Sequence, residues 1–259
     1  MQCRDFIKLL QKQSPEDMAL DWDNPGLIAG RMDKEVKRVL LAVDVTDAIV
    51  QQAIELKVDM LITHHPLIFT SIRKVNSEDF IGRRLISLIS NDINYYAMHT
   101  NFDVCGMADY CSEILGLENC EILEVTGELD GKPQGIGRVG SFSKNHTLRE
   151  IAEMVKERFS IPWVKVFGNL DVKPGKIAIS SGAGKSMIGP ALSMGAELLI
   201  TGDIDHHAGI DANASGLAII DAGHYGIEKV FIPFMAKYIS ENTDMEVFQE
   251  EWKSPFTII

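Results

Sequence analysis

The stretch QQAIELKVDMLITHH (residues 51–65) is written a second time, in the same order of apolar, small and polar residues, as GPALSMGAELLITGD (189–203), with Thr201 falling where Thr63 falls. The match extends outward on both sides. KRVLLAVDV (37–45) is answered by GKIAISSG (175–182), and NYYAMHTNFD (94–103) by GLAIIDAGHYGIE (216–228). Upstream, CRDFIKLLQKQSPEDMALDWDNPGLIAG (3–30) parallels TLREIAEMVKERFSIPWVKVFG (147–168), each with a tryptophan, Trp22 or Trp163, shortly after its helical pattern. Four matches in one order predict an internal duplication.

Within each copy, short runs rich in Val, Leu and Ile alternate with stretches whose apolar residues recur every three or four positions. DAIVQQAIELK (47–57), EDFIGRRLISLISN (78–91) and ADYCSEILGL (108–117) are of the second kind. Strands alternating with helices predict an α/β protein of two similar α/β/α halves with largely parallel sheets. The expected division is a first half over 1–126 and a second over 127–259, with a candidate site in the cleft between them. Five glycines in GELDGKPQGIGRVG (127–140) suit a junction or a hairpin opening the second half.

Composition narrows the class. A chain of 259 residues with 46% hydrophobic and 24% charged residues has ample material for a core. No apolar run approaches the roughly 18 residues of a membrane span, and the N-terminal stretch reads as an amphipathic helix rather than a signal peptide. The four cysteines form no C-x-x-C pair, which points to free thiols and a cytoplasmic location. A net charge of −12 argues against broad contact with nucleic acid or an anionic membrane.

The strand ends carry the chemistry. His64 and His65 close the second strand of the first copy, where ligands bind in open α/β sheets. His99 ends the third strand and is followed four residues later by Asp103; His224 and Glu228 repeat that unit in the second copy. Singly, each residue has a structural explanation: a histidine hydrogen-bonded at a strand end, an acid in the first turn of a helix. Converging on one rim, they form the donor set of zinc, iron(II), manganese or nickel. Five or six candidate ligands exceed the three a single catalytic zinc takes, and so predict two ions sharing an activated water.

In this order, ITHHP, HTNFD, TGD and DAGHYGIE resemble the Nif-three-like family, whose members bear the names GTP cyclohydrolase I type 2 homologue and dinuclear metal centre protein. The resemblance runs over nearly the whole chain. It implies two divalent metal ions (zinc, iron or manganese) on His64, His65, Asp103, His224 and Glu228, with His99 as an extra ligand or a proton-handling catalytic residue. It also implies a homohexamer, and a hydrolase acting on a nucleotide or small phosphorylated heterocycle through a metal-bound hydroxide. The alternative is a non-catalytic metal-binding scaffold or regulator.

Three further features stand apart. AISSGAGKS (178–186) resembles a phosphate loop but has Ile179 where the first glycine belongs, so a tight strand-to-helix connection is expected. His206 and His207 are expected at a solvent-facing helix start. Pro233 should kink or restart the last helix.

Overall fold

The computed structural model describes residues 1–251 together with Ser254, Phe256 and Thr257. In chain order the elements are α1 (Cys3–Gln13), β1 (Gly26–Ala29), β2 (Arg38–Ala42), α2 (Asp47–Glu55), β3 (Met60–Thr63), α3 (Phe80–Ser90), β4 (Asn94–Ala97) and α4 (Thr100–Phe102). After a π-helical turn over Asp103–Met107 come α5 (Ala108–Leu115), β5 (Glu118–Leu129), β6 (Lys132–Ser141), α6 (Leu148–Arg158), β7 (Lys165–Phe167) and β8 (Ile177–Ala183). The chain continues with α7 (Ile188–Ser193), β9 (Leu198–Gly202), α8 (His206–Ala214), β10 (Ala218–Asp221), α9 (His224–Glu228), α10 (Phe231–Asn242) and β11 (Glu246–Gln249).

The duplication is legible in the strand orders. One sheet runs β1-β4-β3-β2-β11 and the other β5-β6-β8-β9-β10-β7. In each, a run of parallel strands, β4-β3-β2-β11 or β10-β9-β8, is flanked by an antiparallel edge strand: β1 against β4, and β7 against β10. Thus β1-β4-β3-β2 corresponds to β7-β10-β9-β8. The registers correspond too. Leu40, Leu61 and Tyr95 stand side by side across the first sheet, and Ala178, Leu199 and Ile219 across the second. Each row is buried against helices from its own copy, Val50, Ala53, Leu85 and Leu88 in the first and Ala191, Ala208 and Ala212 in the second.

The helix starts follow from local chemistry. Thr46, Asp79 and Asp205 each accept a backbone N–H of the first turn of α2, α3 and α8, and Thr147 with Glu150 forms a reciprocal capping box on α6. Each such cap contributes about 1 kcal/mol by satisfying donors that the helix leaves open. Pro233 falls in the first turn of α10, where its missing N–H costs no helical hydrogen bond, so the helix restarts there.

The compact units do not divide at residue 126. One unit comprises 1–102 and 231–259, the other 103–230. The reason is a return of the chain: β11 pairs in parallel with β2, and the Tyr238 hydroxyl on α10 donates to the Leu9 carbonyl at the end of α1. The glycine-rich stretch is a hairpin within the second unit. Its β5 and β6 are joined by Asp130 and Gly131, both at positive φ (51° and 74°), the two-residue turn whose twist suits a hairpin. Among the described residues no helix is long and apolar enough to cross a membrane.

Candidate metal centre

In the first unit, the ladder of the parallel sheet runs on past Thr63. His64 N–H donates to the Ala42 carbonyl and His65 N–H to that of Val43, so both imidazoles are placed by the backbone at the carboxyl end of β3. The turn is locked from beneath. Tyr95 donates its hydroxyl to the His65 carbonyl at 3.1 Å and accepts the Leu67 N–H at 2.8 Å, while the Thr63 hydroxyl reaches the His65 carbonyl at 2.7 Å. Pro66 therefore follows a histidine pair that is held in place.

The third imidazole comes from the neighbouring strand. His99 lies two residues beyond β4, and its ring centroid is 5.2 Å from that of His64 and 5.4 Å from that of His65. One ring nitrogen of each of the three lies within 4.8 Å of the others, a spacing that can hold a metal ion. Their other nitrogens are engaged. His64 Nδ1 is 2.8 Å from the Met98 carbonyl, His65 Nδ1 2.8 Å from Asp44 Oδ1, and His99 Nδ1 2.8 Å from Asp23 Oδ1. Against an acceptor oxygen, Nδ1 carries the proton, so Nε2 is left as the lone-pair donor in each ring.

Asp23 is the most constrained of these acceptors. Its side chain is wholly buried, and its second oxygen takes both the backbone N–H and the hydroxyl of Thr100. Burial alone would raise its pKa, but the hydrogen bonds from His99 and Thr100 hold it at about 2. It is therefore an anion throughout the neutral range.

In the second unit, the same construction is built with different residues. Asp203, just past β9, accepts from His224 Nδ1 at 2.8 Å, and His224 Nε2 faces Glu228 Oε2 at 3.0 Å, one helical turn further along α9. Glu228 is only 3% exposed. With Nδ1–H given to Asp203, a neutral imidazole offers a lone pair toward a buried carboxylate. A proton or a metal cation between them satisfies both. Asp103 opens the π-helical turn and accepts the Ser181 hydroxyl at 3.3 Å. Nearby, burial first, and then the charges of Asp103 and Glu228, push the Cys111 thiol well up.

One sequence expectation changes in detail. Thr63 pairs with Ala97 and Thr201 with Asp221, so His99 stands two residues past the shared register and His224 three. The two His-x-x-x-acid units are offset by one residue, and Gly223, at φ 73°, takes up the difference. The phosphate-loop lookalike is a strand-to-helix connection, as expected, with a specific reason for one glycine. Gly182 is at φ 68°, and a Cβ there would come within 2.6 Å of Glu228 Oε1. Lys185, the lysine of that stretch, is paired with Asp205 at 2.8 Å. His206 and His207 begin α8 and are exposed.

Asp23 and Asp44 escape the sequence reading altogether. Each is far in sequence from the histidine it orients, and nothing local separates either from the other acids of a chain with 37 Asp and Glu residues. The sole available signal is the repeat, which sets Asp203 opposite His65 and so marks an acid beside a strand-end histidine.

The comparisons with known proteins agree with this architecture. The model of the family Duf34/NIF3 (NGG1p interacting factor 3) matches residues 1–255. The GTP cyclohydrolase 1 type 2 homolog of Clostridium perfringens is 34% identical over 264 aligned positions, covering 100% of both chains. Among solved structures, a Bacillus cereus protein related to NIF3 superposes with a TM-score of 0.93 at 26% identity, covering 100% of this chain and 99% of that one. Reduced HcgD from Methanocaldococcus jannaschii superposes with a TM-score of 0.85 at 32% identity, over 97% and 98% of the two chains. The duplicated sheets, the strand-end histidines and these matches over the full length lead to one assignment: the chain belongs to the Duf34/NIF3 family.

Proposed function

We propose that the chain is a metal-dependent hydrolase acting on a nucleotide or a similar small phosphorylated heterocycle, with two divalent ions held by His64, His65, Asp103, His224 and Glu228. The observation that carries this reading is the treatment of the imidazoles. His64, His65, His99 and His224 each commit Nδ1 to a carbonyl or carboxylate oxygen, as metal-ligating histidines do to fix their tautomer. The donor set of imidazole and carboxylate suits zinc, iron(II) or manganese. Divalent ions in such a site polarise a substrate oxygen and lower the pKa of water.

The chain's own residues have separable tasks. Asp44 and Asp203 hold His65 and His224 in the ligating tautomer, and the Met98 carbonyl does so for His64. His99, backed by the buried anion Asp23, either completes a three-imidazole set or accepts a proton at Nε2, the resulting imidazolium being stabilised by Asp23. The name GTP cyclohydrolase 1 type 2 homolog, borne by the Clostridium perfringens relative, favours hydrolytic opening of a purine ring as the first reaction to assay. A homohexamer in the cytoplasm is the assembly that goes with this reading.

A second reading draws on the family description itself, NGG1p interacting factor 3, which names an interaction. On that reading the metal-loaded chain is a scaffold or regulator. The assay that separates the two is turnover of GTP and simple phosphate esters by metal-loaded protein, beside a His99→Asn variant. The hydrolase reading expects turnover that falls at least about 100-fold in the variant, within the range of a lost general acid–base group. Full metal occupancy with no turnover on any of these substrates would leave the scaffold.

A further inference from the structure

Two large aromatic side chains meet His99 from separate loops. Trp22 lies with its ring centroid 5.8 Å from that of His99, the planes at 72°, and Phe69 lies 5.6 Å away at 87°. Both remain open to solvent, Trp22 at 61% and Phe69 at 51%, whereas His99 itself is 8% exposed. Exposed aromatic surface of this size in a chain with a well-filled core calls for a reason.

The loops that carry these rings are held. Before Trp22, Leu20 N–H donates to the Thr100 hydroxyl at 2.9 Å; after it, Asp23 binds His99 and Thr100. Asn24 then donates its side-chain amide to the Ile68 carbonyl at 2.8 Å, tying the Trp22 segment directly to the residue before Phe69. Hydrogen bonds thus anchor the chain on both sides of Trp22 and just before Phe69 while leaving more than half of each aromatic residue uncovered. The second copy keeps a ring in the corresponding place. Trp163 stands against Gly223, the register equivalent of His99, with a Cβ at Gly223 reaching 3.3 Å from the indole.

We propose that Trp22 and Phe69 form an aromatic seat for a planar heteroaromatic ring, the base of a nucleotide, on the His99 side of the candidate metal centre. The inference rests on the hydrolase reading for the presence of a nucleotide and deepens it by naming what holds the base. Aromatic side chains stack on any nucleobase and do not select among them by hydrogen bonding. The seat therefore recognises that the ligand has a planar ring. Placed there, the ring lies beside the imidazole to which the hydrolase reading gives a proton-handling or ligating role.

The test is calorimetric titration of the metal-loaded chain with GTP, ATP and inorganic tripolyphosphate, on the native protein and on Trp22→Ala, Phe69→Ala and Trp22→Phe, with metal content and oligomeric mass measured on each. Both alanine variants should bind GTP and ATP roughly tenfold or more weakly, the loss expected for one stacking partner. Trp22→Phe should keep most of the affinity, and tripolyphosphate, which has no ring, should bind all four proteins alike. Unchanged nucleotide affinity in Trp22→Ala overturns the seat, as does an equal loss for tripolyphosphate or no nucleotide binding by the metal-loaded native chain. A change of oligomeric mass in the alanine variants would also overturn it, by showing that the rings pack on a second copy. The hydrolase reading fails separately: a chain that takes up no metal but still binds GTP through Trp22 removes the metal site and keeps the seat.

Discussion

Asp23 Oδ1 accepts a hydrogen bond from His99 Nδ1 at 2.8 Å across 76 residues of sequence, with the carboxylate fully buried and its other oxygen saturated by Thr100. An acid placed this way sets the tautomer and direction of one imidazole. Asp23→Asn keeps the shape but offers an amide that can also donate toward Nδ1, so the ring is free to turn or to change tautomer. Loss of such an orienting partner weakens metal binding by roughly 10–100-fold. Competition with a coloured chelator measures this where His99 is a ligand; where it handles a proton, turnover falls instead. A variant with unchanged affinity and unchanged turnover would remove Asp23 from the account.

Gly182 makes room for Glu228. With φ at 68° and only 2.6 Å between the position of a Cβ and Glu228 Oε1, Gly182→Ala both strains the backbone and displaces a candidate ligand. Gly131→Ala is the control, because its φ of 74° carries a similar strain with open space around it. Each should lower stability by about 1–2 kcal/mol. In thermal melts the two variants should look alike, while only Gly182→Ala should lose metal. Equal metal content in both would detach Glu228 from the site.

The duplicated threonines should respond in opposite ways. Thr63 Oγ1 bonds the His65 carbonyl and lies 3.0 Å from the Tyr95 hydroxyl, whereas Thr201 Oγ1 is buried without a hydrogen-bond partner among the described residues. The repeat places Ile219 where Tyr95 stands, so the second hydroxyl has lost the neighbour that the first one uses. Thr63→Val should cost about 1–3 kcal/mol, and Thr201→Val should be neutral or stabilising. Urea denaturation of the two variants decides it, and a reversed order would contradict the reading of these hydroxyls.

Cys111 tests whether a thiol takes part. It is buried, and that burial pushes its thiol well up, while Cys120 is exposed. Iodoacetamide should label Cys120 in the folded chain and reach Cys111 only on unfolding. Cys111→Ala should keep its metal. Fast labelling of Cys111 in the native protein, or loss of metal in the variant, would show a thiolate ligand.

Much of this arrangement was readable from local pattern. The parallel strands are short apolar runs that need no partner to be recognised, and an α/β ladder delivers the residue after each strand to one rim, which is why His64, His65, His99 and His224 could be picked out. The one-residue offset between His99 and His224 depends on pairing partners, and no window along the chain contains them. The same holds for β11, a four-residue strand whose place beside β2 is set by a return from the far end of the chain. The π-helical turn at Asp103–Met107 has no periodic signature of its own, because one extra residue in a turn leaves the apolar pattern on either side intact. The orienting acids were missed for the reason that makes them effective: each reaches its histidine through the fold.

The central claim is that the strand-end histidines and their carboxylates hold two ions, and elemental analysis addresses it most directly. The chain is purified without a polyhistidine tag or chelator, beside a His64→Ala/Asp103→Ala double variant, and both are incubated with zinc, manganese and anaerobic iron(II). The account predicts close to two ions per native chain and their loss in the variant. A native chain that stays metal-free under all three conditions, or a variant that keeps its metal, would contradict it.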